Sequence, residues 1–493
     1  MSRIQITDLT FSYVGALMPV FENFNINLDT SWRLALVGDN GTGKTTLLKL
    51  LSGEEKGSGR IDCDYACRRF PFPKIDEEDI VENIIYENVP EAELWEIKRE
   101  FNLLGLDADI LYRKFKTLSG GERTKIQLAA LFAGVGYPLI DEPTDHLDLL
   151  GRKRLSKYLS GKDGFLVVSH DRAFLDGCCD RVLALEKTGA RLTRGNYSVY
   201  AEEKKKRDRE DEIKRGVLET ERVRLKAAAA RTAEWADKAE KEKSSKGELA
   251  DKHASLDRGF LSASAARVQK RANIISDRRL AAESELKELL KGYEEIENLT
   301  LFPEKFFRPQ LVVLNGVTVK TPSKTLFKSL SFTVNEGERV ALVGGNGSGK
   351  STLLKLICGE YIPFTGVREA SPRLKISYVP QTYNYSGTLK DYAKSYGVDE
   401  SYFKAILSKF GFNRKDFESD MQNTSEGQKK KAALARSLCE RANLYVWDEP
   451  LNYLDIRSRE QLEKAILSSG ATLLFVEHDS AFLSSVATKI IEI

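Results

Sequence analysis

The sequence predicts an α/β protein in which one strand–loop–helix domain occurs twice, with a long α-helical segment between the two copies. A glycine-rich loop follows an apolar run at Gly38–Thr45 and recurs 306 residues later at Gly344–Ser351. The intervening stretch is rich in Ala, Glu, Lys, Arg and Leu, which favour helices, and contains no proline between Pro143 and Pro303. The predicted domains are residues 1–200, 201–300 and 301–493.

Length and composition support several domains and exclude some classes of protein. The 493 residues are too many for one hydrophobic core, and the net charge is only +3. No run of 18 apolar residues occurs, and the N-terminus lacks the apolar core of a signal peptide. None of the six cysteines forms a C-x-x-C pair. We therefore expect a cytoplasmic protein with reduced thiols and no membrane partner.

Both glycine-rich loops match the phosphate-binding pattern G-x-x-x-x-G-K-[ST] at every fixed position. The glycines let backbone N–H groups surround a phosphate, and the N-terminus of the following helix adds partial positive charge. Lys44 and Lys350 would neutralise the β- and γ-phosphates of a nucleotide, while the hydroxyls of Thr45 and Ser351 would bind Mg²⁺. The predicted ATP-binding residues of the loops are Gly38, Asp39, Asn40, Gly41, Thr42, Gly43, Lys44, Thr45 and Thr46, and then Gly344, Gly345, Asn346, Gly347, Ser348, Gly349, Lys350, Ser351 and Thr352.

An aromatic residue and a serine–glycine motif add to the predicted nucleotide site. Tyr13 ends the first strand 25 residues before the loop, where its ring could stack on adenine. Leu118–Glu122 begins a predicted helix whose serine hydroxyl and backbone N–H groups could bind an anion. The second copy departs from this motif at Thr424 and Glu426. The predicted ATP-binding residues of the two motifs are Ser119, Gly120, Gly121 and Glu122, and Ser425, Gly427 and Gln428.

An apolar strand follows the motif in each copy and ends in two carboxylates. Asp141 would bind Mg²⁺, and Glu142 would act as general base toward the attacking water. Asp448 and Glu449 take these places in the second copy. A second apolar strand leads to a histidine suited to sensing the γ-phosphate. The two copies have His170 and His478 at this position, 308 residues apart, so the spacing changes by only two residues over the domain.

The order of these motifs resembles that of an ABC ATPase domain. The resemblance identifies Gly38–Thr45 as Walker A, Ser119–Glu122 as part of the signature, Asp141 and Glu142 as Walker B, and His170 as the switch histidine. The family also has a Q-loop glutamine that coordinates Mg²⁺, which the second copy matches with Gln381.

The first copy has no glutamine at the corresponding place. Arg69–Lys74 occupies it, and either Phe72 or Lys74 stands where the glutamine would be, depending on the alignment. The first site is therefore expected to couple or hydrolyse differently. Near the position where Tyr13 would repeat, the second copy has Thr321, so its site is expected to lack adenine stacking.

Two such domains joined by a charged helical linker resemble the ABC-F family of ribosome-associated ATPases. The resemblance implies binding at the exit-tRNA site, with contacts to rRNA and peptidyl-site tRNA. Short spacing from Lys44 to Ser119 and from Lys350 to Ser425, 75 residues each, and the absence of a C-terminal coiled coil favour the resistance branch, which is Lsa-like. That branch protects the peptidyl-transferase centre from lincosamides, pleuromutilins and streptogramin A.

The resemblance also implies a monomer in which the two ABC domains form an intramolecular ATP sandwich. The domains would pack head to tail, so that Lys44 shares one ATP with Ser425 and Lys350 shares the other with Ser119. ATP would bridge the halves, and hydrolysis would remove the bridge.

The linker is expected to be a helical hairpin with a tip near residues 244–262. Residues 221–280 contain 15 Lys or Arg and 9 Asp or Glu, a net charge of +6, although a charged run of this kind is often only a solvated helix face. This local excess favours a polyanionic partner. Trp235 is expected to pack between the two helices. Three alternatives stay open: a housekeeping ABC-F translation factor, the ATPase subunit of a transporter, and a DNA-maintenance ATPase.

Overall fold

The computed structural model describes residues 3–15, 18–145, 147–186, 189–247, eight single positions between 270 and 284, and residues 299–321, 324–383, 385–412 and 416–493; for residues 229, 232–247 and 423 it describes the backbone alone. The chain divides into two compact units, Met1–Tyr200 together with Glu297–Ile493, and Ala201–Ile296. The boundaries predicted at residues 200 and 300 remain predictions.

The first copy of the domain combines parallel and antiparallel strands with helices. Its strands are β1 (Arg3–Phe11), β2 (Phe21–Asp29), β3 (Arg33–Gly38), β4 (Ser58–Cys63), β5 (Cys67–Phe70), β6 (Tyr137–Asp141), β7 (Phe165–Val168), β8 (Arg181–Glu186) and β9 (Gly189–Arg194). Its helices are α1 (Lys44–Leu51), α2 (Val81–Asn88), α3 (Leu94–Leu104), α4 (Gly120–Ala133), α5 (Leu149–Ser160) and α6 (Arg172–Cys178). Short 3₁₀ turns cover Ala108–Tyr112 and Phe115–Thr117.

The main sheet of the first copy has the strand order β5-β6-β7-β3-β8-β9. The first five strands are parallel, and β9 runs antiparallel to β8. Strands β6 and β7 are apolar runs buried on both faces, as expected for parallel strands covered by helices. Because β6, β7 and β3 are neighbours, their carboxyl ends meet at one edge of the sheet, where ligands bind in folds of this kind.

The second copy repeats this architecture. Its strands are β10 (Phe302–Pro303), β11 (Gln310–Lys320), β12 (Thr325–Asn335), β13 (Arg339–Val343), β14 (Phe364–Ala370), β15 (Ile376–Val379), β16 (Arg441–Ala442), β17 (Leu444–Asp448), β18 (Leu473–Val476) and β19 (Lys489–Glu492). Its helices are α8 (Lys350–Cys358), α9 (Leu389–Ser395), α10 (Glu400–Lys409), α11 (Glu426–Cys439), α12 (Ile456–Ser469) and α13 (Ser480–Val486), with a 3₁₀ turn at Met421–Asn423. The parallel sheet has the order β15-β17-β18-β13-β19.

A three-stranded antiparallel sheet packs beside the main sheet in each copy, with the order β2-β1-β4 in the first and β12-β11-β14 in the second. The helix that follows the phosphate loop contributes to the core between the two sheets. In the first copy Leu47 and Leu48 of α1 join Ile4 and Leu36 in one buried cluster, and Leu353 and Leu354 of α8 do the same in the second. The predicted fold class, two tandem α/β domains of one type, is confirmed.

A single helix, α7 (Tyr197–Gly247), leads out of the first copy and is 51 residues long. It continues through Ser244, where the sequence predicted that the first linker helix would already have ended. The rest of the predicted tip and the side chain of Trp235 lie outside the described residues, and only scattered positions of the predicted second helix are described.

Candidate nucleotide-binding sites

Each phosphate loop has a glycine whose backbone and surroundings require the absence of a side chain. Gly43 has φ of 94°, and a Cβ there would lie 2.6 Å from Cγ1 of Val20. Gly349 has φ of 104°, and a Cβ there would lie 2.9 Å from Cβ of Leu326. Both residues cap the helix that follows, so the pattern glycines set the direction in which each helix N-terminus points.

The loop lysines lie over their own loops. The Lys44 ammonium donates to the carbonyls of Gly38 at 2.8 Å and Asp39 at 3.0 Å. Lys350 donates to the carbonyls of Gly344 at 3.0 Å and Gly345 at 2.9 Å. Burial lowers the pKa of both lysines, and nearby Walker B carboxylates oppose that effect. Each ammonium is thus positioned to contact phosphate oxygens above the loop.

The Walker B aspartates are suited to holding a divalent cation. Burial raises the pKa of Asp141, while a hydrogen bond from Thr45 lowers it. Burial likewise raises the pKa of Asp448, while the hydroxyl of Ser351 lowers it. Both carboxylate oxygens of Asp448 are buried and lack a hydrogen-bond partner of good geometry. An orphaned carboxylate beside a hydroxyl fits the ligands that Mg²⁺ takes in nucleotide sites.

The structure also limits what kind of metal site is present. Within the described residues, no group of three or more His, Cys, Asp or Glu side chains could hold a metal ion on its own. A cation here would therefore depend on phosphate oxygens and water as well as on the protein. The predicted ligand Gln381 is exposed, and its amide donates to Glu449 at 3.3 Å.

The two predicted general bases have unusual backbones. Glu142 has φ of 48° and Glu449 has φ of 53°, both in the left-handed region that non-glycine residues seldom adopt. Backbone strain of this kind clusters at functional sites. Each glutamate faces its histidine, with Nε2 of His170 lying 3.3 Å from Oε1 of Glu142 and Nε2 of His478 lying 3.7 Å from Oε1 of Glu449.

The two glutamates differ in their electrostatic surroundings. Burial, together with Asp145 and Asp141, raises the pKa of Glu142 to about 8. Burial acts on the partly buried Glu449 as well, but the nearby His478 imidazole helps bring its pKa below the ordinary value. Asn452 donates to Glu449 at 2.8 Å, which stabilises the ionised carboxylate further.

Burial lowers the pKa of His170 well below its usual range, with Lys44 contributing to the same effect. The imidazole is therefore neutral at physiological pH, and one ring nitrogen can donate while the other accepts. A neutral imidazole in this position could donate to a phosphate oxygen, the role that the sequence predicted for it.

The signature serines begin helices as N-caps. Ser119 and Glu122 form a capping box at the start of α4, and Ser425 and Gln428 form one at the start of α11. The hydroxyl of Ser119 donates to Glu122 at 2.8 Å. These contacts are local, so the predicted interaction of each serine with ATP on the opposite domain stays a prediction.

Tyr13 is partly exposed, and its hydroxyl lies 3.0 Å from the hydroxyl of Thr46, the second residue after Lys44. The ring lies edge-on to Phe11 at a centroid distance of 5.0 Å. These contacts hold the ring beside the first helix of the nucleotide site, and stacking on adenine remains a prediction.

The two copies meet at their phosphate loops. Asp455 of the second copy accepts a hydrogen bond from the backbone N–H of Asn40 at 3.0 Å, and Arg457 pairs with Asp39 at 3.3 Å. In the opposite direction, a Cβ on Gly345 would lie 3.8 Å from a carboxylate oxygen of Asp148. Asp148 and Asp455 occupy the same position in the two copies, so the contact is reciprocal, with each loop next to the other copy's aspartate.

Strand register settles the alignment that the sequence left open in the first copy. Phe70 pairs with Ile140 in β5 and β6, and Val379 pairs with Trp447 in β15 and β17. The Walker B aspartate follows directly after Ile140 and after Trp447. Two residues beyond Phe70 stands Phe72, and two residues beyond Val379 stands Gln381. Phe72 of the first copy therefore corresponds to Gln381 of the second. The ring of Phe72 is buried, and the backbone N–H of Phe72 donates to the side chain of Gln127. The first copy therefore has a buried apolar residue at the Q-loop position.

Sequence reasoning missed three basic residues of the second copy. Lys430 is buried and donates to the carbonyls of Pro380 and Asp448. Lys431 donates to the Phe410 carbonyl, and its charge helps lower the pKa of His170 in the other copy. Arg459 donates to the His170 carbonyl at 2.9 Å. Matched positions in the two copies could have suggested Arg459 and Lys431, because Arg152 and Lys125 stand at their places in the first copy, whereas Lys430 is matched by Thr124 and carried no such signal.

The geometry defines a protein with two phosphate loops, each lying next to an aspartate of the other copy, as in ABC-type ATPases. The family model described as ABC transporter matches residues 21–145 and, a second time, residues 327–452. The chain therefore belongs to this family through a duplicated ATPase domain, and it hydrolyses ATP. Across the described residues, no helix combines the length and apolar character needed to cross a membrane.

The relatives that match along nearly the whole chain are ABC-F proteins, and the chain belongs to this family. It is 30% identical to the erythromycin resistance ATP-binding protein MsrA of Staphylococcus epidermidis, over 93% of this chain and 91% of that protein. It is 28% identical to the ribosome protection protein VmlR of Bacillus subtilis, over 97% of this chain and 84% of that protein. A solved structure of the archaeal ribosome recycling factor aABCE1 shares the fold, with a TM-score of 0.63, 20% identity and coverage of 98% of this chain and 87% of that chain.

Proposed function

We propose that this protein is a cytoplasmic ribosome-protection ATPase. In its ATP-bound state it occupies the exit-tRNA site and contacts rRNA and peptidyl-site tRNA. Its linker protects the peptidyl-transferase centre from lincosamides, pleuromutilins and streptogramin A. The match to VmlR and MsrA along nearly the whole chain supports this function, because the names of those proteins state ribosome protection and erythromycin resistance.

The observation that carries the proposal is the reciprocal contact between each phosphate loop and the other copy's aspartate, Asp455 to Asn40 and Asp148 to Gly345. A nucleotide held in this interface belongs to both domains. The proposed pairs are Lys44 with Ser425 in the first site and Lys350 with Ser119 in the second. ATP then stabilises the closed arrangement of a single chain by its affinity for both halves, and its loss releases them.

The chemistry in each site follows from the position of its glutamate. Glu142 and Glu449 orient and deprotonate the attacking water, and His170 and His478 contact the γ-phosphate. Thr45 with Asp141, and Ser351 with Asp448 and Gln381, would hold Mg²⁺, which when bound neutralises developing charge on the phosphate oxygens. The loop lysines supply the remaining positive charge.

The linker supplies the proposed contact with RNA. The described part of α7 exposes most of its side chains, and residues 221–280 carry a net charge of +6. An exposed basic helix binds a polyanion by neutralising phosphates, which makes the affinity depend on salt. No membrane partner is part of the proposal.

Ribosome pelleting tests the clamp. The Glu142→Gln, Glu449→Gln double variant should bind ATP without hydrolysing it and remain with the ribosomes after centrifugation through sucrose, whereas the unchanged protein should be released. The matched control is the same double variant without nucleotide. Equal retention of variant and unchanged protein in ATP would refute the clamp.

Drug susceptibility tests the protective role. Expression in a sensitive bacterium should raise the inhibitory concentration of a lincosamide, a pleuromutilin and streptogramin A, and deletion of residues 244–262 should remove that protection. The deleted variant must still hydrolyse ATP and pellet with ribosomes. A chain that pellets in ATP but changes no inhibitory concentration would instead be a housekeeping translation factor, and recovery in a membrane complex would indicate a transporter subunit.

A further inference from the structure

The helix that follows Asp455 contacts the histidine segment of the first domain. Nη1 of Arg459, in α12, donates to the His170 carbonyl at 2.9 Å. The same guanidinium is buried within its own domain, where Nε donates to the Leu454 carbonyl at 3.0 Å and Nη1 lies 3.4 Å from Asp479, the residue after His478. One side chain thus touches the histidine segments of both sites.

Arg152 in α5 is the matched residue of the first domain, and the hydrogen bonds that it makes lie within that domain. Its Nε donates to the Leu147 carbonyl at 3.1 Å and its Nη1 to Asp171 at 3.0 Å. Among the described residues it donates no hydrogen bond to the second domain. Instead, Arg152 and His478 line an open cavity of about 420 Å³ between the domains. The hydrogen bond from this pair of arginines across the interface is therefore one-sided.

The sequence itself encodes this difference. On the side of Arg459, Arg172 pairs with Glu463 at 2.9 Å and lies 3.9 Å from Glu460, so α12 is held against the first domain by charge. At the positions that match Arg172 and Glu463 in the other copy, the residues are Ser480 and Ser156, and both line the cavity. Two short hydroxyls cannot span the gap that an arginine and a glutamate close.

The bonded carbonyl belongs to the residue whose other atoms face the catalytic glutamate. The backbone N–H of His170 donates to Oε2 of Glu142 at 3.3 Å, and its ring lies beside Oε1. Fixing the carbonyl fixes the same backbone segment, and a charge-assisted bond inside a buried interface holds it firmly.

We propose that Arg459 is a positioning residue through which the second domain sets the geometry of His170 and Glu142, so that turnover at the first site depends on the second domain more than the reverse. The inference rests on the proposed roles of His170 and Glu142. It predicts an ATPase whose two sites are coupled in one direction, because only one of two matched arginines crosses the interface.

The test isolates each site and then removes each arginine. Glu449→Gln leaves the first site active, and Glu142→Gln leaves the second. In the first background, Arg459→Gln should lower kcat about tenfold while changing the KM for ATP less than about threefold, since one charge-assisted contact to the catalytic segment is lost. In the second background, Arg152→Gln should leave kcat within about twofold, because that arginine makes no matching contact.

Each arginine also contacts an aspartate of its own domain. Because both substitutions remove such a contact, comparing their effects on the site across the interface separates the cross-domain role from this shared one. Equal losses across the interface, or a loss that appears only in KM, would overturn the proposal. If Arg459→Gln lowers the melting temperature of the protein, Arg459→Lys replaces it in the test. The lysine keeps a positive charge beside Asp479 but lacks the second arm of the guanidinium.

Failure of the assigned catalytic roles gives a different result. A Glu142→Gln, Glu449→Gln protein that hydrolyses ATP at the unchanged rate would refute the general bases, whatever the arginines do. If the double variant does not hydrolyse ATP, and the two arginine substitutions have equal effects across the interface, only the proposed role of Arg459 is refuted.

Discussion

The two candidate general bases should ionise in different pH ranges, and this difference is measurable site by site. Burial, with Asp145 and Asp141 nearby, raises the pKa of Glu142 to about 8. Burial also acts on Glu449, yet the nearby His478 imidazole and a hydrogen bond from Gln381 leave its pKa below the ordinary value. A general base works only when it is ionised, so the first site should gain activity with rising pH over a range in which the second does not.

The size of the effect follows from the pKa. With a pKa of about 8, roughly one tenth of Glu142 is ionised at pH 7 and roughly nine tenths at pH 9. We expect kcat/KM for ATP at the first site to rise about tenfold across this interval, because kcat/KM reports the ionisation of the free enzyme. The second site should change little, since Glu449 is already ionised throughout.

The assay measures phosphate release with Mg²⁺ in excess, using Glu449→Gln for the first site and Glu142→Gln for the second. Titration of the nucleotide affects both variants equally, so the ratio of the two profiles isolates the protein groups. A ratio that stays flat between pH 6.5 and pH 9, or a rise confined to the second site, would refute the assignment.

Two further predictions concern the phosphate loop and the stability of the folded chain. Gly43→Ala should abolish ATP binding at the first site, because a Cβ there would lie 2.6 Å from Val20 on a backbone with φ of 94°; calorimetric titration should find one ATP bound per chain, while Gly216→Ala, with open space around it, should still bind two. Glu142 holds its proton more tightly when folded, so the native state loses stability as pH rises from about 4.5 to about 8. Glu142→Gln should therefore stabilise the chain at pH 8, by up to about 5 kcal/mol, and have little effect near pH 4. Glu449→Gln should do the opposite and destabilise at neutral pH, because the native pKa of Glu449 is lowered; melting curves that shift in the same direction for both variants would contradict this reasoning.

Much of the fold and of each half-site could be predicted because the chemistry is contiguous in the chain. Eight consecutive residues, Gly38–Thr45, carry the phosphate loop, and its glycines impose their backbone conformations locally. Repetition at Gly344–Ser351 then establishes the duplication without any knowledge of packing. The class of protein, the parallel strands that end in Walker B, and a long charged helix between the copies all follow from such local signals.

Tertiary structure alone decided what depends on register and on the meeting of the two domains. The sequence left Phe72 and Lys74 as alternatives for the residue at the Q-loop position of the first copy. Only strand pairing shows that Phe72 corresponds to Gln381 of the second copy. The pKa values of Glu142 and Glu449 diverge because burial and neighbouring charges differ between the copies, although the local sequences match. The bond from Arg459 to His170 joins residues 289 positions apart. The geometry of such a contact exists only when both domains are folded and packed against each other, so matched positions along the chain can suggest the residue but not its partner.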